Sequence, residues 1–171
     1  MTAPPFLAER YELEARGRLG ERLIMARMLP HEAEALGPAL AAIDPWATYP
    51  YPASALSAYL GKDEPGAPRY SLYAGDALAG AVGLRLDWLR GPYLQLLGLL
   101  PGYQGCGFGA AVLAWIEREA RVAKQRNLWV VASDFNSGAL RFYERCGFTR
   151  VAALEALVAD GCDEILLRKR L

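Results

Sequence analysis

The sequence predicts an α/β domain built around one mixed sheet. Three observations carry that expectation. Apolar runs of strand length recur along the chain. Amphipathic or capped helix patterns separate some of these runs, while tight turns separate others. The length of 171 residues, with 53% hydrophobic and 22% charged, suits one domain with a substantial core.

The elements follow in order. Residues 1–20 mix Pro, Glu and Arg with a few large apolar side chains, and are read as an N-terminal extension. They form a tail or a partner-contacting arm ahead of a domain spanning 21–171. Arg22–Arg27 (RLIMAR) reads as a strand. Pro30 opens the helix pattern HEAEALGPALAAI, with proline near the start and acidic residues in the first turn. Asp44–Pro52 is a loop rich in aromatics and prolines, and ASALSAYL after it is a second short helix. RYSLYAG and ALAGAVGLRLDW flank Gly75-Asp76, a hairpin signal. GPYLQLLGLL is apolar on both faces, as a central strand must be. After a glycine-dense loop, Val112, Leu113, Ile116, Ala120 and Ala123 mark one face of a helix. Leu128–Ser133 reads as a buried strand, and NSGALRFYERCG as a helix ended by Gly147. FTRVAALEAL and DEILLRKRL close the chain as two strands.

Lys+Arg is 19 and Asp+Glu is 19, so the chain has no net pull toward nucleic acid or an anionic membrane. Cys106, Cys146 and Cys162 are odd in number and lack metal-ligand spacing. They read as free thiols in a reducing cytosol, and no metal is expected. The start, MTAPPFLAERYELEARG, is charged too early for a secretory leader, and no apolar run is long enough to span a membrane. The expectation is a cytoplasmic protein.

The stretch YQGCGFG, Tyr103–Gly109, raises the functional question. Glycines this dense serve positions where φ must be positive or where a ligand must approach the backbone. Two ligands compete. Gly105–Ala110 fits the G-x-G-x-x-A dinucleotide fingerprint, with Asp134 ending the next strand. Against it, Pro101–Gln104 separate the strand from the glycines, and the chain after Asp134 is too short for the remaining βαβ units. Reading from Gln104 instead gives Q-x-x-G-x-G before a helix. Its N–H groups and the positive helix end form an anion cradle suited to a pyrophosphate.

LGLLPGYQGCGFGAAVL resembles the acyl-CoA-binding motif of the GNAT-fold N-acetyltransferases, [RQ]-x-x-G-x-[GA] after a strand. FNSGALRFYERCGF resembles that family's second signature at Asn136, Ala139, Phe142, Tyr143, Gly147 and Phe148. The resemblance covers roughly residues 72–171. It implies a single-domain GNAT fold: a mixed, mostly antiparallel sheet with splayed central parallel strands, flanked by helices. It further implies acetyl-CoA as cofactor, with pantetheine lying between the parted strands against the backbone of Leu97, Leu99 and Leu100. Gln104, Gly105, Cys106, Gly107, Gly109 and Ala110 would hold the pyrophosphate. Asn136 is an ordinary N-cap, a pantetheine contact, or both. Phe142 should face the core and Tyr143 the cofactor sulfur, where a phenol can protonate the departing thiolate. The alternative account of Tyr143, a buried core tyrosine with its hydroxyl satisfied, comes second to that catalytic role.

The acceptor amine must lose a proton before it attacks, since an alkyl ammonium has a pKa of roughly 10. Some family members place a Glu on the strand before the glycine loop or on the next strand. This sequence has none at either place. Asp134, Asp87, Glu164 or a water chain remain, and none stands out. Trp46, Tyr49 and Tyr51 lie where family members place acceptor-site walls. His31 reads as a surface or capping residue.

The resemblance thus implies an acetyl-CoA-dependent N-acetyltransferase acting on a primary amine of a small molecule or peptide. Family members often dimerise, and the leading residues could mediate that. The rival is a non-catalytic acyl-CoA-binding module that kept the cradle and lost the base.

Overall fold

The computed structural model describes residues 4–171. Its strands are β1 (Arg10–Arg16), β2 (Arg22–Arg27), β3 (Arg69–Ala74), β4 (Ala77–Trp88), β5 (Gly91–Leu99), β6 (Asn127–Ser133), β7 (Thr149–Ala159) and β8 (Cys162–Arg170). The helices are α1 (Pro30–Ala41), α2 (Ala53–Leu60), α3 (Phe108–Val122) and α4 (Ser137–Arg145), and a 3₁₀ turn spans Pro101–Tyr103. One eight-stranded sheet runs β1-β2-β3-β4-β5-β6-β8-β7. Every pairing is antiparallel except β5 with β6, as a mixed sheet with a central parallel pair requires. Residues 10–16, inside the segment read as an extension, form β1 and pair with β2. The segment alternates strictly, with Tyr11, Leu13 and Ala15 turned inward between exposed charged residues, the period-two pattern of an edge strand with one buried face.

The parallel pair is short. β5 and β6 are joined only at Tyr93 with Trp129 and Leu94 with Val130. Past that point β5 continues against β4 as far as Leu99, and β6 continues against β8 as far as Ser133. The two central strands therefore part toward their C-terminal ends.

A bulge in β5 lies where the parting begins. Leu94 pairs with Leu84 and Leu96 with Gly83, so Gln95 is the extra residue. A bulge twists and bends its strand and re-aims the side chains beyond it. Leu94 and Leu96, two apart, would share a face in a regular strand. Instead Leu94 packs in the core that includes Phe108, Val112 and Ile116 of α3. Leu96 packs in a second core with Leu36 and Leu40 of α1 and Leu56 and Leu60 of α2. The helices thus cover both faces of the sheet.

The larger core centres on Trp115, fully buried from solvent. Phe6, Tyr11 and Tyr70 meet its ring edge-to-face at centroid distances of 5.5, 5.0 and 5.5 Å. Phe6 N–H also donates to Glu119 Oε2 of α3 at 2.9 Å, so α3 pins the N-terminal segment to the sheet. The indole N–H of Trp115 is buried without an acceptor. Trp115→Ala is expected to destabilise the chain by about 3–5 kcal/mol. Trp115→Phe, which keeps a ring and removes the orphaned donor, should cost much less. Urea unfolding midpoints at unchanged slope check both.

Candidate active site

Local sequence explains why the glycine loop turns as it does. Gly105 and Gly107 have φ of +74° and +87°, the left-handed region where a side chain is strained. Gly107 is the N-cap of α3 and offers no side chain to cap it. The first N–H groups of α3 therefore have no intrahelical acceptor, and they point out of the helix end with the positive pole of its dipole. By contrast, Asn136 Oδ1 accepts the N–H of Ala139 at 3.1 Å and caps α4.

This open helix end faces a cleft of about 630 Å³. Its other walls are Leu97 and Leu99 of β5 and, from α4, Phe142 and Tyr143, with Asn136 at the rim. Gln104, Gly105, Gly107, Gly109 and Ala110 all line it. Two residues expected there stand off. Leu100 packs against the α1/α2 core, with its N–H donated to the carbonyl of Ala79 at 2.9 Å. Cys106 turns its thiol to the carbonyl of Tyr103 at 2.9 Å. Gln104 uses its side chain locally: Nε2 donates to the Leu99 carbonyl at 2.9 Å.

Tyr143 is buried, and burial pushes its phenol well above the ordinary value, with smaller contributions from Cys146 and Tyr93. Among the described residues its hydroxyl has no hydrogen-bond partner. Phe142 is only partly buried, and its ring packs so closely on Gly109 that a Cβ there would come 2.9 Å from its Cζ. Both aromatics line the cleft, so the division of Phe142 to the core and Tyr143 to the cleft is less sharp than the sequence suggests.

Trp46 bridges this cleft and a second cavity of about 340 Å³, which Tyr49, Tyr51, Leu56, Tyr59, Gln95 and Leu96 enclose. All three aromatics expected as acceptor walls lie there. Tyr49 is the deepest. Its hydroxyl donates to Glu164 Oε1 in a short hydrogen bond and lies 2.5 Å from Ser133 Oγ. Glu164 sits on β8 opposite Ser133 of β6 and is 5% exposed. Burial alone raises its carboxyl to about 7. Of the three carboxylates open as bases, Glu164 is thus the buried one, whereas Asp87 and Asp134 are exposed. His31 is exposed on α1.

One contact lay outside sequence reasoning. Arg18, in the β1–β2 turn, donates through Nη2 to the carbonyl of Gln104 at 2.9 Å. It brings a cation to the glycine loop from a segment remote in sequence. Arg145 of α4 is a cation on the cleft wall itself. The dinucleotide alternative requires a mainly parallel sheet, and this sheet is mainly antiparallel.

The comparisons with known proteins agree on the family. The model of the acetyltransferase (GNAT) family matches residues 30–148. An acetyltransferase of Agrobacterium fabrum is 37% identical over 83 residues, which cover 48% of this chain and 56% of that protein. The match therefore spans little more than half the length of that curated relative. A crystal structure of a GNAT-family protein from Desulfovibrio desulfuricans is similar at a TM-score of 0.70 and 23% identity, covering 86% of this chain and 98% of the other. A streptothricin acetyltransferase structure from Bacillus anthracis, in complex with acetyl coenzyme A, is similar at a TM-score of 0.57 and 18% identity, covering 64% and 65%. With the parted β5 and β6, the open end of α3 and the matching family model, the chain belongs to the GNAT acetyltransferase family.

Proposed function

We propose that this chain transfers an acetyl group from acetyl-CoA to a primary amine of a small molecule or peptide by direct attack. The observation that carries this reading is the uncapped N-terminus of α3, opening on the cleft where β5 and β6 part. The residues present fit the cofactor. Unpaired N–H groups at Gly107–Ala110 suit a pyrophosphate, and Arg18 and Arg145 add positive charge near it. The backbone edge of Leu97 and Leu99, which β6 has left, suits the amides of a pantetheine arm. Cys106 contributes through its main chain, since its thiol turns away.

When bound, acetyl-CoA supplies the activated acetyl thioester. The protein orients it and manages the protons. The Tyr143 phenol is protonated at neutral pH as any tyrosine is, burial raises it further, and from the cleft wall its hydroxyl can give that proton to the departing sulfur. The cavity beside Trp46 receives the acceptor. Its lining carries aromatic and aliphatic side chains and Gln95, whose Oε1 accepts from Tyr59 at 3.1 Å, and no charged group. Such walls favour an amine with an uncharged apolar body over a polyamine or an amino acid.

The second reading, an acyl-CoA-binding module without turnover, draws on the lack of a carboxylate on β5 and β6. Thiol release from acetyl-CoA across an amine panel separates the two. Steady turnover with an arylalkyl amine supports transfer; tight CoA binding with no release above background supports the module.

Three outcomes are expected. Gly107→Ala, which forces a Cβ onto a left-handed backbone, should weaken acetyl-CoA binding by about tenfold or more in calorimetry. Tyr143→Phe should lower kcat roughly hundredfold while leaving the KM for acetyl-CoA nearly unchanged. Arg18→Ala should raise the Kd for CoA roughly threefold to tenfold and flatten its dependence on salt.

A further inference from the structure

The geometry points to a proton relay from the acceptor amine to Tyr49 and on to Glu164, with Ser133 holding the phenol between them. The inference rests on the amine-acetylation reading above. The three groups come from separate elements: Tyr49 from the loop between α1 and α2, Ser133 from the end of β6, and Glu164 from β8. All three are buried, at 7%, 2% and 5% exposure.

The hydrogen-bond count leaves one position open. A phenol oxygen has one proton and two lone pairs. Tyr49 donates its proton to Glu164 Oε1. The Ser133 hydroxyl, 2.5 Å away, must then be the donor in their contact, and it occupies one lone pair. The second lone pair is left for a donor in the acceptor cavity, which the Tyr49 ring lines.

Glu164 differs from the other buried glutamate. Glu32 accepts from the Leu29 N–H at 2.8 Å and from Ser71 Oγ at 2.6 Å, a capping arrangement that accounts for its burial. Glu164 has only the phenol, and no cation offsets its desolvation. Facing it are Tyr49 from the loop, Ser133 from β6 and Leu154 from β7, none of them charged. A buried carboxylate without a counter-charge is costly, and such groups concentrate where a proton must be taken up. With its carboxyl raised to about 7, Glu164 is a far better proton acceptor than an ordinary carboxylate.

The step balances. An N–H bond of the ammonium breaks as a proton joins the Tyr49 oxygen, and the original Tyr49 proton moves to Glu164 Oε1. The products are a neutral amine, a neutral phenol and a carboxylic acid. Tyr49 is the group that touches the amine; Glu164 acts through it. After transfer, the same path returns the proton outward as the product leaves.

The test is the pH profile of kcat/KM with a turned-over amine, for wild type, Glu164→Gln, Tyr49→Phe and Asp44→Asn. Asp44 is included because it is the carboxylate on the cleft wall. Wild-type activity should rise through about pH 7 as Glu164 ionises. Glu164→Gln should lose roughly hundredfold in kcat/KM and lose that acid limb, while still binding CoA. Tyr49→Phe should lose a similar factor. An independent readout needs no cofactor. Infrared titration of the free wild type should show a protonated-carboxyl band disappearing near pH 7, absent in Glu164→Gln.

Stability gives a further check. Between the ordinary carboxylate value and about 7, the folded chain binds more protons at Glu164 than the unfolded chain does. Its stability therefore falls as pH rises through that window, and the glutamine variant is spared. The Tm advantage of Glu164→Gln should grow from pH 5 to pH 8. An acid limb that persists in Glu164→Gln, one that is lost in Asp44→Asn, or full activity in Tyr49→Phe overturns the relay. If the wild type acetylates no amine, both readings fall; if it does and Glu164→Gln matches it, the relay alone falls.

Discussion

The structure depends on how briefly β5 and β6 stay paired. Two residue pairs hold the strands together, and beyond Leu94 and Val130 the ladder opens. An unpaired sheet edge inside a domain is normally a liability, because its N–H and C=O groups need partners. Here each strand remains anchored on its outer side, β5 by β4 and β6 by β8, so the gap neither collapses nor frays. The freed edge, the open end of α3 and the walls from α4 are consequences of that one separation.

Several polar groups at the site are left short of partners. α4 has an asparagine cap and Glu32 of α1 accepts the N–H of Leu29 at its start, whereas neither α2 nor α3 has a side-chain cap, and of these two α3 opens on the cleft. Tyr143 is buried on the cleft wall, and its hydroxyl makes no hydrogen bond among the described residues. Glu164 is buried with no counter-ion. Local departures from good protein engineering, gathered around one cleft and one cavity, are what a site that must accept ligands looks like.

Much of this was legible in the sequence. Strand β2 and helix α2 stand where their apolar runs place them, and the hairpin turns at Gly75-Asp76. The glycine loop announced its cleft because positive φ restricts residue choice so severely. Other features had no local signal. β1 is not among them: Tyr11, Leu13 and Ala15 alternate with charged residues, so this edge strand does carry a period-two signal in its sequence. Arg18 reaches Gln104 across 86 positions of sequence, a distance no spacing rule spans. Glu164 could not be separated from Asp87 and Asp134 by composition. What separates it is burial under the Tyr49 loop, a property of the assembled sheet.

The bulge at Gln95 has an evolutionary consequence. At it, Gln95 and Leu96 line the small aromatic chamber; just past it, Leu97 and Leu99 line the larger cleft. A single strand thus serves two masters through neighbouring but separate positions. Selection can reshape the chamber by changing Gln95, Leu96, Tyr49 and Tyr51 without touching the cleft. The cleft, whose glycine loop and open helix end present mostly main chain, is untouched by such drift, so the two spaces can diverge independently on one scaffold.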